Sequence, residues 1–226
     1  MVAYDARGHG ESDPAPTGGY AYEDLGADLG AVIAHAGEGR AVLAGHSMGA
    51  HTIAHHALTA GTDRIAGIVF IGPAHLGRAP SPDSLRYWDA LADGLAQGGV
   101  EGWLAAYDHD LDPRWRPTLL RIARARMERH RHPDAVALAL REVPRSVAFD
   151  GVGALEDLDV PALIVASHDE ADPGHPYAVA AEWARRLPDA RLISEEQGES
   201  PLAWQGGKLS REIAAFCAEP AVRARL

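Results

Sequence analysis

Ala41-Val42-Leu43-Ala44-Gly45-His46-Ser47-Met48-Gly49-Ala50 is the stretch whose reading decides the fold. An apolar run, a glycine-flanked serine and the first residues of a helical pattern follow one another directly. The stretch reads as a short strand, a turn and a helix start. Gly45-x-Ser47-x-Gly49 has the spacing of a nucleophile elbow. A serine on such a turn sits in a strained backbone region, its hydroxyl held above the sheet edge. The residues two before and two after it are expected to be small, because strand and helix approach closely there. The helix that follows points its N-terminus at the serine, which favours developing negative charge. The plainer alternative is an ordinary strand-to-helix turn with Ser47 as a cap.

Outward from this stretch the chain alternates strand and helix. Residues 1–5 read as a short apolar strand, followed by the glycine-bearing loop Ala6-Arg7-Gly8-His9-Gly10-Glu11-Ser12-Asp13-Pro14. Leu25, Leu29, Val32 and Ile33 recur at helical spacing over residues 20–36. Residues 49–60 continue as the helix after Ser47, and 65–71 form a buried-type strand closed by Gly72-Pro73. Residues 161–166 and 190–194 return to strand pattern, with helices expected over 177–187 and around Leu209, Ile213 and Phe216. The expected class is therefore α/β, a mostly parallel sheet sandwiched by helices.

Between residues 74 and 159 the rhythm changes. Helices are expected over 84–95, 100–107, 118–130 and 134–143, the last with Asp134 as its cap, and no strong strand intervenes. This segment reads as a helical lid inserted into a core made of residues 1–73 and 160–226. Trp88, Trp103 and Trp115 in it suggest a partly apolar pocket. Its arginines, Arg121, Arg124, Arg126, Arg129 and Arg131, suit either an acidic partner or a solvated helix face.

The 226 residues suit one domain with an insertion, and 46% hydrophobic content suffices for a core. A net charge of −11 argues against nucleic-acid or anionic-membrane partners. No run approaches the length of a membrane span. Cys217 stands alone, so no internal disulfide forms, and the start carries no signal pattern. Both features fit a cytoplasmic protein. No cofactor is implied, and a homodimer is among the expected assemblies.

The chain resembles the α/β-hydrolase superfamily. The resemblance rests on Tyr4-Asp5-Ala6-Arg7-Gly8-His9-Gly10-Glu11-Ser12, on Gly45-His46-Ser47-Met48-Gly49, on Ile71-Gly72-Pro73, and on Asp169 with Pro173 four residues later. It implies Ser47 as nucleophile, Asp169 as the acid that orients a histidine, and the Met48 N–H as one oxyanion donor. Two departures stand out. The family has further strands before the Tyr4-Asp5 region, one of them central, and the loop after it supplies the second oxyanion donor. Without that strand, residues 1–5 are expected to pair with 41–44, or a partner chain to fill the gap. A missing donor typically costs on the order of 100- to 1000-fold in rate.

The second departure concerns the base. The family histidine sits after the last strand, where this chain reads Gln197-Gly198-Glu199-Ser200-Pro201, and no histidine follows His175. His175 is the first candidate in its stead. It lies just beyond the strand carrying Asp169, at a helix start with Pro176 expected in the first helical position. A helix N-terminus disfavours imidazolium, which leaves His175 able to accept a proton, and Asp169 or Asp172 would offset that effect as charge develops. The alternative is a capping histidine. His75 and His46 are further candidates; His109, His130 and His132 lie in the insertion, and His51, His55 and His56 follow the elbow as packing residues. Glu199 would be a weak base. His168, Asp169, Asp172 and His175 also admit a metal reading, but without a standard ligand spacing, so no metal is expected. Glu195-Glu196 reads as a solvated strand end. Two functions follow: a serine hydrolase of small acyl esters, or a non-catalytic relative that binds a small ligand or protein.

Overall fold

The computed structural model describes residues 1–15, 18–196 and 199–226. In chain order its elements are α1 (Tyr22–Ala36), β1 (Ala41–His46), α2 (Met48–Ala60), β2 (Ile65–Ile71), α3 (Pro82–Tyr107), α4 (Arg116–Met127), α5 (Pro133–Glu142), β3 (Ala162–Val165), α6 (Tyr177–Arg186), β4 (Ala190–Ile193), α7 (Gly206–Cys217) and α8 (Pro220–Arg223), with short 3-10 turns between some of them. The residues fall into two compact units: Leu29–Arg78 with Ala148–Leu226, and Met1–Asp28 with Ala79–Val147. These boundaries differ from those expected, because the first 28 residues group with the helical segment.

The larger sequence-distant unit holds the sheet. Its four strands are all parallel, in the order β1-β2-β3-β4. Parallel strands buried on both faces read as continuous apolar runs; every residue of β2 and β3 is buried accordingly. On one face Val69, Ile71, Leu163 and Val165 pack against Phe216 of α7 and Val222 of α8. On the other, Phe70 meets Trp183 of α6 edge-on at 5.0 Å between ring centroids. Both rings are fully buried, and each side chain of this kind is worth roughly 1.5–3 kcal/mol of transfer free energy. Because the strands run the same way, their C-terminal ends at His46, Ile71, Val165 and Ile193 share one edge of the sheet.

The expected strand over residues 1–5 does not form. Those residues are exposed and unpaired by any strand, and β1 takes β2 as its strand neighbour. They belong instead to the helical unit, where Asp5 caps a tight loop: its Oδ2 accepts the Glu11 N–H at 3.1 Å. In that same unit Arg7 forks onto both carboxylate oxygens of Asp28 at 2.6 and 2.7 Å. The two helices expected near 84–95 and 100–107 run into one another as α3, broken at Gly99, whose φ of 58° a side chain would oppose. Leu95, Met127, Val136 and Ala137 form one buried apolar cluster of this unit, and Tyr20, Ala135 and Ala139 another. The cap of α5 is His132, with Pro133 opening the helix, rather than Asp134. Trp103 stacks on Tyr107 at 4.9 Å, and Arg124 pairs with Glu101. Among the described residues no helix is long and apolar enough to cross a membrane.

Candidate active site

Ser47 stands between β1 and α2 with φ 51° and ψ −112°. Among the described residues it is the only non-glycine with positive φ. A conformation of this kind costs on the order of 1–3 kcal/mol and persists only where the surroundings enforce it. Two constraints do so here. The Ser47 N–H donates to Ile71 O at 2.9 Å, extending the β1–β2 ladder by one bond. Gly45 lies so close to the first turn of α2 that an added Cβ would stand 2.5 Å from the backbone of Gly49. The expectation of two enforced small residues therefore holds at Gly45 only; a Cβ on Gly49 would meet nothing within 4 Å.

Ser47 occupies the N-cap position of α2, yet its side chain makes no capping bond. A serine cap ordinarily contributes about 1 kcal/mol. Here the hydroxyl is turned to His175, with Oγ 2.8 Å from Nε2. The other ring nitrogen, Nδ1, lies 2.7 Å from Asp172 Oδ2. An ionised carboxylate only accepts, so the ring proton belongs on Nδ1, and Nε2 is left to accept the serine proton. Burial alone would raise the Asp172 carboxyl; the hydrogen bond from His175 and the neighbouring His175 and His46 outweigh it and hold the group below the ordinary carboxylate range. Met48 opens α2, where first-turn N–H groups lack a helical acceptor.

Asp172 and His175 come together through local chain geometry. Asp172-Pro173-Gly174-His175 is a turn sequence, closed by the His175 N–H on Asp172 O at 3.3 Å. α6 begins at Tyr177, as expected, with Pro176 as its N-cap rather than its first helical residue. Asp169, the acid implied by the family pattern, does not reach the imidazole. Its Oδ1 accepts the Ala171 N–H at 2.9 Å, so it shapes the loop instead. The tetrapeptide turn was the signal in the sequence that favoured Asp172, three residues from His175, over a position counted from the proline.

The other histidines have different surroundings. His46 is exposed, with its ring 5.0 Å from that of His175. His51 and His75 stack at 3.6 Å, and burial lowers both, His75 to about 4. His55 Nδ1 lies 2.9 Å from Ala148 O. His130, in the helical unit, accepts the Gly10 N–H at 2.9 Å. His168 stacks on Tyr177 at 3.9 Å. Among the described residues no three His, Cys, Asp or Glu side chains are grouped to hold a metal ion. Of the loop that replaces the family histidine, 197 and 198 lie outside the described residues. Glu199 is held by Lys208 at 2.8 Å, and that ammonium keeps its carboxyl below the ordinary range, which makes it a still poorer base.

Glu195 corrects another expectation. It is 5% exposed rather than solvated. Its Oε1 accepts the Ser167 hydroxyl at 3.0 Å and the His168 N–H at 2.5 Å, and its Oε2 accepts the Leu202 N–H at 3.2 Å. Burial pushes its carboxyl up, but these donors prevail and hold it below the ordinary range. A small cavity of about 20 Å³ lies beside the dyad, lined among others by His46, Asp172, His175, Pro201 and Trp204.

Comparison with known proteins places the chain in a family. The family model described as the alpha/beta hydrolase family matches residues 1–203. A non-heme haloperoxidase of Rhodococcus erythropolis is 28% identical, over 85% of this chain and 72% of that protein. A thermophilic esterase from Thermogutta terrifontis superposes with a TM-score of 0.72 at 21% identity, covering 94% of this chain and 77% of its own. The enol-lactonase from Burkholderia xenovorans gives 0.70 at 22% identity, covering 96% and 80%. With the strained serine turn, the parallel sheet beneath it and a model match over most of its length, the chain belongs to the alpha/beta hydrolase family.

Proposed function

We propose that this protein is a serine hydrolase that cleaves small acyl esters through an acyl-enzyme on Ser47. The carrying observation is the relay Ser47 Oγ, His175 Nε2, His175 Nδ1, Asp172 Oδ2, with contacts of 2.8 and 2.7 Å, mounted on a strained turn. His175 Nε2 takes the hydroxyl proton as Oγ attacks the ester carbonyl. The carbonyl oxygen becomes an oxyanion beside the Met48 N–H and the positive end of α2. Collapse breaks the ester C–O bond, and His175 returns the proton to the leaving alcohol. Water, deprotonated by the same nitrogen, then attacks the acyl-enzyme and releases the acid and Ser47. Asp172 holds the Nδ1 proton throughout and stabilises the imidazolium. The base is thus supplied from the loop after β3, in place of the loop after β4.

The test is hydrolysis of p-nitrophenyl acetate and butyrate by the wild type, Ser47→Ala and His175→Ala. Each variant is expected to lose at least about 1000-fold in kcat. Turnover that survives either substitution would overturn the reading.

A further inference from the structure

The relay is held by a loop that the sheet itself positions only at its start. Ala166 N–H donates to Ile193 O at 2.8 Å, and from there the chain leaves the sheet edge. Nine residues later it must present His175 to a hydroxyl with tolerance of a few tenths of an ångström. Beneath this departure sits Glu195, just past the end of β4, buried and accepting three hydrogen bonds. A carboxylate in such a place is costly to bury and is retained only where its donors compensate it.

The bonds from Glu195 lead to the relay in a connected path. The Ser167 hydroxyl donates to Glu195 and accepts the Asp169 N–H at 3.0 Å. Asp169 closes the next turn by accepting the Ala171 N–H at 2.9 Å, and its carbonyl accepts the Asp172 N–H at 3.3 Å. The following turn carries Asp172 and His175. The second oxygen of Glu195 fixes Leu202, and the adjoining residues Pro201, Ala203 and Trp204 line the cavity against which Asp172 and His175 also stand.

We infer that Glu195 is the positioning residue of this site: its buried carboxylate ties the loop bearing Asp172 and His175, and the facing segment at Leu202, into one register. This rests on the reading of Ser47, His175 and Asp172 as the relay. Replacing the carboxylate by an amide sets an NH2 group against N–H donors and breaks at least one of the three bonds. Loosening a reacting group by an ångström costs about 100-fold, so Glu195→Gln is expected to lower kcat by roughly 10- to 100-fold with KM within about twofold.

The experiment compares wild type, Glu195→Gln and Ser167→Ala in ester hydrolysis and in low-field proton NMR, where the Nδ1–H held by Asp172 gives a resonance identified by its loss in His175→Ala. Weakening or loss of that resonance in Glu195→Gln, together with the fall in kcat and an unchanged circular dichroism spectrum, supports the proposal. A folded Glu195→Gln with the wild-type resonance and kcat overturns it. If Glu195→Gln fails to fold, Ser167→Ala decides: it removes only the hydroxyl that links Glu195 to Asp169, and an intact resonance with unchanged kcat in it is likewise contrary. A wild type without the resonance overturns the relay and the proposal together. A wild type with the resonance but no turnover contradicts the hydrolase reading alone and leaves the resonance in the variants to decide the role of Glu195.

Discussion

Asp172 and Asp169 offer the sharpest separation between local geometry and family pattern, and replacing each by asparagine tests it. At Asp172 the substitution keeps the size but removes the charge that faces His175 Nδ1 at 2.7 Å. With charge centres about 4 Å apart and an effective dielectric near 20, the attraction between imidazolium and carboxylate is roughly 4 kcal/mol. His175 and Asp172 side chains are 20% and 34% exposed, so water screens part of this. Halving the figure leaves about 2 kcal/mol, a factor of about 30 in rate, before any loss of ring orientation is counted. Asp169→Asn retains an oxygen able to accept the Ala171 N–H and is expected to stay within about threefold of wild type. The assay is kcat for p-nitrophenyl acetate, with circular dichroism to establish folding. An Asp172→Asn variant within threefold of wild type, or an Asp169→Asn variant that loses as much as it does, would refute the reasoning.

Three further outcomes follow from the same structure. Gly45→Ala forces a methyl group to 2.5 Å from the backbone of Gly49 and is expected to destabilise by at least about 2 kcal/mol, whereas Gly49→Ala meets nothing and gains up to about 1 kcal/mol of helix propensity; urea unfolding measures both. His75 resists protonation until about pH 4, while an unfolded histidine takes up its proton near 6.5. The unfolded state binds more protons between those values, so stability is expected to fall as pH drops through 6.5, by roughly 2 kcal/mol from His75 alone at pH 5, and His75→Gln should flatten that slope in urea titrations. Glu199→Gln, which cuts the exposed pair with Lys208, is expected to leave kcat within about twofold; a loss of tenfold would return Glu199 to the list of candidate bases.

Much of this arrangement is legible in the residues. The alternation of apolar runs with helical patterns gives the parallel sheet, and Gly45-x-Ser47-x-Gly49 marks the turn, because strand-to-helix packing leaves no room for a side chain at Gly45. His175 is legible by elimination and by its position after the strand that carries Asp169. The contact with Asp172 is less so, since it depends on the turn Asp172-Pro173-Gly174-His175 folding tightly enough to bring its ends together. Glu195 escapes the sequence altogether. Adjacent acids at a strand end ordinarily face water, and only the tertiary placement of Ser167, His168 and Leu202 around one of them makes burial tolerable. Residues 1–5 fail in the other direction: their apolar pattern suits a strand, but strand pairing is decided by tertiary placement, and these residues stay exposed while β1, paired on one side by β2, forms the edge of the sheet.

The most direct measurement is the rate at which a fluorophosphonate modifies the protein, with the modified residue located by peptide mass spectrometry. A hydroxyl activated by His175 on the Ser47 turn predicts stoichiometric modification of Ser47 and a fall of at least about 100-fold in its rate in His175→Ala. A folded wild type that resists the reagent, or is modified at Ser47 equally fast without His175, would contradict the account.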